Sequence, residues 1–263
     1  MADFGAQDVK KLRDATGAGM MDCKKALEAT NGDMEEAIQL LREKGLAKAA
    51  ERSDRENKEG AVALATSGDA AAIVQLKSET DFTAKNAEFL SLVQRLADAV
   101  LADGEGAIAA NAAAIDAVKL ATKENIEVGK VARIEAAAGN VLDTYLHTQD
   151  GRGVNAVIVE GNGVAQDLLH EIALHVAFAK PSALSRDEID AAEVEKERAS
   201  LLEITKAEGK PEAAWGKIVD GRINAWYADR VLLEQGMFGE KETVKAKVGS
   251  GSIARFAQAY VGS

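Results

Sequence analysis

The chain holds one cysteine, Cys23, among its 263 residues. An intramolecular disulfide is therefore excluded, and a Cys-rich zinc site with it. It has two prolines and few aromatics, which fits an alanine-rich, helix-rich chain better than a sandwich of many short strands. It also lacks an excess of basic residues. Lys and Arg number 32 against 43 Asp and Glu, a formal net charge of −11. That balance argues against general nucleic-acid binding and against docking on an anionic membrane. No apolar run approaches the ~18 residues of a membrane span. The N-terminal MADFGAQDVKKLRDATG has no apolar core, so no secretory signal is expected. The expectation is a cytoplasmic protein.

What is present falls into distinct textures. From Val9 to Glu56 acidic and basic residues balance, and the acid excess lies elsewhere. Val9 and Leu12 sit at helical spacing before the turn Thr16–Gly19. Met20, Cys23 and Leu27 recur on a second helix, which Asn31-Gly32 ends. Asp33 is placed to cap a third, where Met34, Ala37, Ile38 and Leu41 form an apolar stripe. Gly45 is expected to close it. The charged stretch Leu46–Lys58 reads as a linker, partly helical at most.

After Gly60 come two strand-like runs, Ala61–Ala65 and Ala71–Leu76, around the turn Ser67-Gly68-Asp69. A loop, Ser78–Asn86, leads to a helix with Phe89, Val93, Leu96, Ala97 and Val100 on one face. Ala107–Ala114 is ambiguous, and Ile115–Glu124 reads as helix. A second strand group follows: Lys130–Ala136, Val141–His147 and Val154–Glu160. Its helix carries Leu169, Ile172, Ala173 and Val176 on one face and ends at Lys180-Pro181. Strands followed by a helix thus occur twice. Asp190–Glu208 and Glu212–Leu233, joined by Gly209-Lys210-Pro211, form a helical hairpin with Trp215 and Trp226 on one face. Ile253–Val261 reads as a last strand that returns to the second sheet.

Catalytic and cofactor motifs are missing. There is no GxxxxGK[ST] phosphate loop and no G-x-S-x-G elbow. Gly151, Gly153 and Ala156 match GxGxxA, but a strand-like run follows where a helix is required. His170 and His175 are five apart, about 140° around a helix, so they cannot share one metal. His175 is expected near the core and His170 in water. Neither a metal nor a cofactor is expected, and catalysis by the chain's own side chains is disfavoured.

Two segments carry more. Leu12–Leu27, LRDATGAGMMDCKKAL, resembles the first signature of the bacterial elongation factor Ts family. Glu79–Asn86, ETDFTAKN, resembles its second, typically ETDFVAKN. Likeness continues through His175-Val176-Ala177, Lys180-Pro181, Gly209-Lys210-Pro211, Gly221-Arg222 and Leu232–Gln235, so it covers essentially the whole chain. The family exchanges guanine nucleotide on elongation factor Tu, the GTPase that carries aminoacyl-tRNA. The resemblance implies an α+β fold: a UBA-like three-helix module over 1–45 and a linker over 46–59. Two related α/β subdomains with small antiparallel sheets follow, at 60–139 and at 140–180 with 236–263. A helical hairpin is inserted at 181–235.

It implies, further, that Thr80, Asp81, Phe82, Thr83, Ala84 and Lys85 form a partner-binding loop that intrudes near the magnesium of the GTPase. Phe82 would act as a wedge whose burial contributes ~2 kcal/mol, and Asp81 would compete electrostatically or capture a donor. Arg13, Met20 and Met21 match positions where the N-terminal module grips the GTPase, and His147 matches a contact of the second subdomain. The implied partner is elongation factor Tu in a transient ternary complex with GDP or GTP, with no direct nucleic acid and no membrane. Self-association is left open. From the residues alone, Phe82 reads rather as a core residue at a helix start, with Thr80 or Asp81 as N-cap; the resemblance reverses that reading.

The sequence departs from the family pattern at Gln75, Lys77 and Thr83, which replace the commoner Glu, Asn and Val, and Thr83 forgoes some apolar contact. The chain stops soon after Val261, so the extra C-terminal helical module of some members is expected to be absent. Two other readings stand beside exchange: a UBA-like polypeptide-binding adaptor without exchange activity, and an enzyme with an unrecognised site.

Overall fold

The structure, a computed structural model, describes residues 4–263; the first three residues of the expected 1–45 module lie outside them. Three helices come first: α1 (Ala6–Thr16), α2 (Met20–Ala29) and α3 (Met34–Ala50). α1 stops at Gly17, whose φ of 65° takes the chain out of the helix. Asp33 caps α3 by accepting the Glu36 N–H at 2.9 Å. Leu12, Cys23, Ala26, Leu27 and Ala37 are fully buried between the helices. Two stripe residues depart from expectation, because Met20 and Ile38 are exposed.

The helix also does not stop at Gly45. It runs five residues further, and Gly45 serves a different end. A β-carbon there would lie 2.3 Å from Leu120 Cδ2. The missing side chain lets α3 rest on a later helix, α7, and gives the small three-helix cluster a second surface to bury.

The body begins with the hairpin β1 (Glu59–Ser67) and β2 (Ala70–Ser78), turned at Gly68-Asp69. One turn of helix, α4 (Asp81–Ala84), precedes α5 (Ala87–Asp103), α6 (Ala107–Ala110) and α7 (Ala112–Thr122). β3 (Glu127–Glu135) then pairs antiparallel with β2. The same sequence recurs: hairpin β4 (Asn140–Gln149) and β5 (Arg152–Asn162), helix α8 (Gln166–Ala179), and finally a third strand against the middle one. Before that strand come α9 (Ala191–Ala207), α10 (Trp215–Arg230) and α11 (Val244–Val248). The strand is β6 (Ser252–Tyr260), antiparallel to β5. The orders β1-β2-β3 and β4-β5-β6 are therefore equivalent. The run Lys130–Ala136, grouped by sequence with the second set of strands, belongs to the first sheet. A strand's own alternation carries no label for its partner.

The central strand of each sheet, β2 and β5, is buried on both faces. Alternate residues Ala61, Ala63, Val74 and Leu76 meet Phe89, Leu92, Leu96 and Val100 of α5. The intervening Val62 and Ile73 face Ala156, Ile158 and Ala259 of the other sheet. Val157 and Val159 meet Leu169, Ile172 and Val176 of α8. Two helices thus enclose two stacked sheets, so β2 and β5 read as near-continuous apolar runs.

The departures at Gln75 and Lys77 belong to this stacking. Gln75 is buried; its amide nitrogen donates to the Tyr260 carbonyl at 2.8 Å while its oxygen accepts the Lys130 N–H at 3.0 Å. Lys77 Nζ donates to the carbonyl of Ser263. An amide can donate and accept at once, which an ionised carboxylate cannot. Gln75→Glu would set a carboxylate against a carbonyl, and a loss of about 2 kcal/mol is expected, read as a lower urea midpoint with unchanged slope.

α9 and α10 form the expected hairpin, with Arg198–Asp220 and Arg222–Glu208 pairs at 2.7 Å between them. Trp226 is buried at its base, while Trp215 is only half-buried and donates to the Lys210 carbonyl at 2.8 Å. His175 is buried as expected. Its Nδ1 accepts the Phe238 N–H at 3.1 Å and its Nε2 faces Gln235 Oε1 at 3.0 Å. Burial holds its pKa below the ordinary imidazole value, against the Gln235 hydrogen bond. His170 is exposed and pairs with Asp143 at 2.8 Å, so the two rings serve different neighbours.

Candidate functional site

The segment between β2 and α5 is a turn of helix and not the loop its sequence suggests. Thr80 leaves β2 in extended backbone and caps α4, its hydroxyl accepting the Thr83 N–H at 3.3 Å. Asn86 then caps α5 by accepting the Glu88 and Phe89 N–H groups at 2.8 and 3.4 Å. Two caps six residues apart define a tight elbow. Successive residues on such a turn point about 100° apart. Thr83 and Ala84 face inward and are buried; Phe82 faces outward and is 86% exposed. The reading of Phe82 as a core residue is thereby excluded, and the core aromatic of this region is Phe89. Phe82 instead stands at the rim of a groove of about 330 Å³ lined by Thr83, Asn86, Val118 and Thr122.

Electrostatics tie the turn down on one side. Lys85 Nζ is 2.9 Å from Asp81 and 3.2 Å from Asp150. Asp150 is the tip of the β4–β5 hairpin, in left-handed backbone at φ 52°. The Lys85 hydrogen bond holds the Asp81 carboxyl below its ordinary pKa, and the two carboxylates hold Lys85 above its own. Asp81 is therefore ionised and occupied before any partner arrives. Arg152, just past the tip of the same hairpin, donates to the Gly60 carbonyl at 2.7 Å and to Glu59 at 2.8 Å.

On the other side stands a carboxylate that sequence reading did not single out. Glu124 accepts the Thr83 hydroxyl at 2.7 Å and the Thr80 hydroxyl at 2.6 Å. The threonine that replaces the usual valine is thus a buried, hydrogen-bonded side chain and not a weakened apolar contact. Glu124, Asp150 and Arg152 could be found only through their neighbours. They lie in a helix exit and a hairpin tip, where charged residues are ordinary.

The remaining predicted residues lie on connected elements. Met20 and Met21 open α2 and are 50% and 63% exposed. Arg13 is exposed on α1 and has no ion pair among the described residues. His147 is exposed on β4, its ring stacked on Tyr145 with Nδ1 3.3 Å from the hydroxyl. It lies three residues before Asp150, so the Lys85 bridge links its hairpin to the Phe82 turn. Among the described residues no three His, Cys, Asp or Glu side chains are grouped to hold a metal, and no helix is long and apolar enough to cross a membrane.

The family model described as Elongation factor TS matches residues 79–263. Proteins named Elongation factor Ts are similar along nearly the whole chain. That of Deinococcus radiodurans is 40% identical over 98% of this chain and 99% of its own length. That of Saccharopolyspora erythraea is 42% identical over 100% and 99%. That of Ruegeria pomeroyi is 43% identical over 86% and 80%.

Proposed function

Because this chain belongs to the elongation factor Ts family, and is as such a translation elongation factor, we propose that it binds the GTPase elongation factor Tu in its GDP form and promotes exchange of GDP for GTP. The observation that carries this reading is Phe82, 86% exposed on a turn fixed from two sides. A ring this exposed contributes almost no burial to the fold. Inserted between groups that order Mg²⁺ in the GTPase, it would weaken the ion's hold and, with it, the hold on the nucleotide phosphates, whose charge the ion neutralises.

Asp81 brings a preformed negative charge to the same place. It could exchange Lys85 for a donor of the partner at little cost, because that pair is exposed and screened. Arg13, Met20 and Met21 would grip a second surface through adaptable thioether contacts, and His147 a third.

No bond is made or broken by the factor in this scheme. If it weakens nucleotide binding by some ratio, nucleotide weakens the factor by the same ratio, through a transient ternary complex. The direction follows from the cellular excess of GTP, and the place of action is the cytoplasm. The adaptor alternative uses the three-helix module but leaves Phe82 without a role.

Stopped-flow release of a fluorescent GDP analogue from the matching elongation factor Tu tests the reading. Release is expected to accelerate with factor concentration and to level off at saturation. No acceleration would sink it and favour the adaptor.

A further inference from the structure

α4 is a single turn of helix. A turn that short cannot hold itself, because nucleation fixes several residues for its first hydrogen bond. What fixes it lies some forty residues away. After α7, Lys123 adopts left-handed backbone at φ 59° and turns the next two residues back toward β2. Glu124 then accepts four hydrogen bonds, all from the segment that carries Phe82. Its Oε2 takes the N–H groups of Glu79 and Thr80 at 3.0 and 3.2 Å. Its Oε1 takes the Thr80 and Thr83 hydroxyls at 2.6 and 2.7 Å.

The hold is reciprocal, since Glu79 Oε1 accepts the Asn125 N–H at 2.7 Å. Asn125 is buried, and its amide nitrogen donates to the carbonyls of Ser53 and Arg55 in the linker, at 3.2 and 2.8 Å. Glu124 has no ion pair among the described residues; its charge is spent wholly on this turn.

We propose that Glu124 is a positioning residue for exchange, holding Phe82 preformed so that the wedge meets its partner already placed. The proposal rests on the exchange reading for its activity consequence but not for its structural one. Charged acceptors make the stronger hydrogen bonds, and four of them reach Glu124 from three residues, Glu79, Thr80 and Thr83. Thr83 contributes one that a valine would lack. The same two-residue node receives the linker from the N-terminal helices, and α7 directly before it carries Leu120 against Gly45 of α3. The grip of the first module and the presentation of Phe82 thus share one anchor.

Two measurements decide it. Amide hydrogen exchange by NMR on the free protein compares wild type with Glu124→Ala. The Ala84, Lys85 and Asn86 amides, bonded within the turn, should exchange at least about tenfold faster in the variant, while those of α5 around Val93 keep their protection. Unchanged exchange in the turn overturns the proposal whatever the partner does.

The second is nucleotide release from elongation factor Tu. A turn that holds its presented form only about a tenth of the time binds about tenfold more weakly. Glu124→Ala should therefore raise the half-saturating factor concentration about tenfold. Glu124→Gln, which keeps one oxygen for the two hydroxyls, should recover part of that loss. Since Glu124 acts through Phe82, the double variant with Phe82→Ala should be no worse than Phe82→Ala alone. Additive losses would show a merely structural role and overturn the proposal. If Glu124→Ala does not fold, Thr83→Val removes one bond of the four and must show the same two signatures in smaller measure. Wild-type factor that fails to accelerate release would refute the exchange reading, and the amide measurement would still decide the positioning.

Discussion

Phe82→Ala is expected to remove most of the exchange activity while leaving the fold untouched. The side chain is 86% exposed in the free protein, so truncating it removes almost no burial from the folded state. The thermal midpoint should not move. In the complex the ring would pass from water into the partner, and losing that burial costs about 2 kcal/mol, or about thirtyfold. The comparison is the concentration dependence of accelerated GDP release for the two proteins. The inverse pattern, a destabilised fold with normal exchange, would return Phe82 to a structural role. Phe89→Ala supplies the contrast. That ring is 1% exposed in the core, and its loss should cost about 3–5 kcal/mol of stability.

The second large effect concerns the joint between the sheets. Glu160 lies on β5 with its carboxylate 1% exposed. It accepts the Ala137 N–H at 2.8 Å, the Asn140 amide at 2.7 Å and the Arg255 guanidinium, whose other arm reaches the Glu135 carbonyl at 2.8 Å. These groups belong to the end of the first sheet, the crossing and the edge of the second. Glu160→Ala would orphan all three. Removing one partner of a buried pair costs about 3–5 kcal/mol. The lower end is expected, because Arg255 is half in water and can be solvated. The urea midpoint should fall with little change in slope.

A pH dependence follows from the same carboxylate. Burial alone would raise its pKa, but the Ala137 N–H, Asn140 and Arg255 outweigh it and hold the group below the ordinary 4.5. A carboxyl more acidic folded than unfolded stabilises fully above its unfolded pKa, and that stability drains as pH falls through the folded value. Between neutral pH and about pH 3, wild type should therefore lose more stability than Glu160→Gln, which has no such proton to bind. Equal losses would refute the assignment.

Local order was legible to the degree that one segment carried its own signal. The turn at Gly68-Asp69, the Asp33 cap, and the faces of α5 and α8 all stand where spacing and turn chemistry put them. The two long motifs sufficed to identify the family, since each combines charge, apolar character and glycine at set positions. Where periodicity was taken as burial it failed for Met20 and Ile38. A cluster of three short helices cannot cover every apolar residue it carries.

The sequence by itself determined the elements, their order and the family, because helical and strand periods, caps and turns are properties of neighbouring residues. Only the tertiary structure decided that α3 passes through Gly45 to rest on Leu120 and that Phe82 faces water. It alone revealed that Glu124 and Asp150 hold the turn from opposite sides. Those facts depend on hydrogen bonds and contacts between residues tens of positions apart. No local pattern encodes which distant carboxylate a threonine hydroxyl will meet.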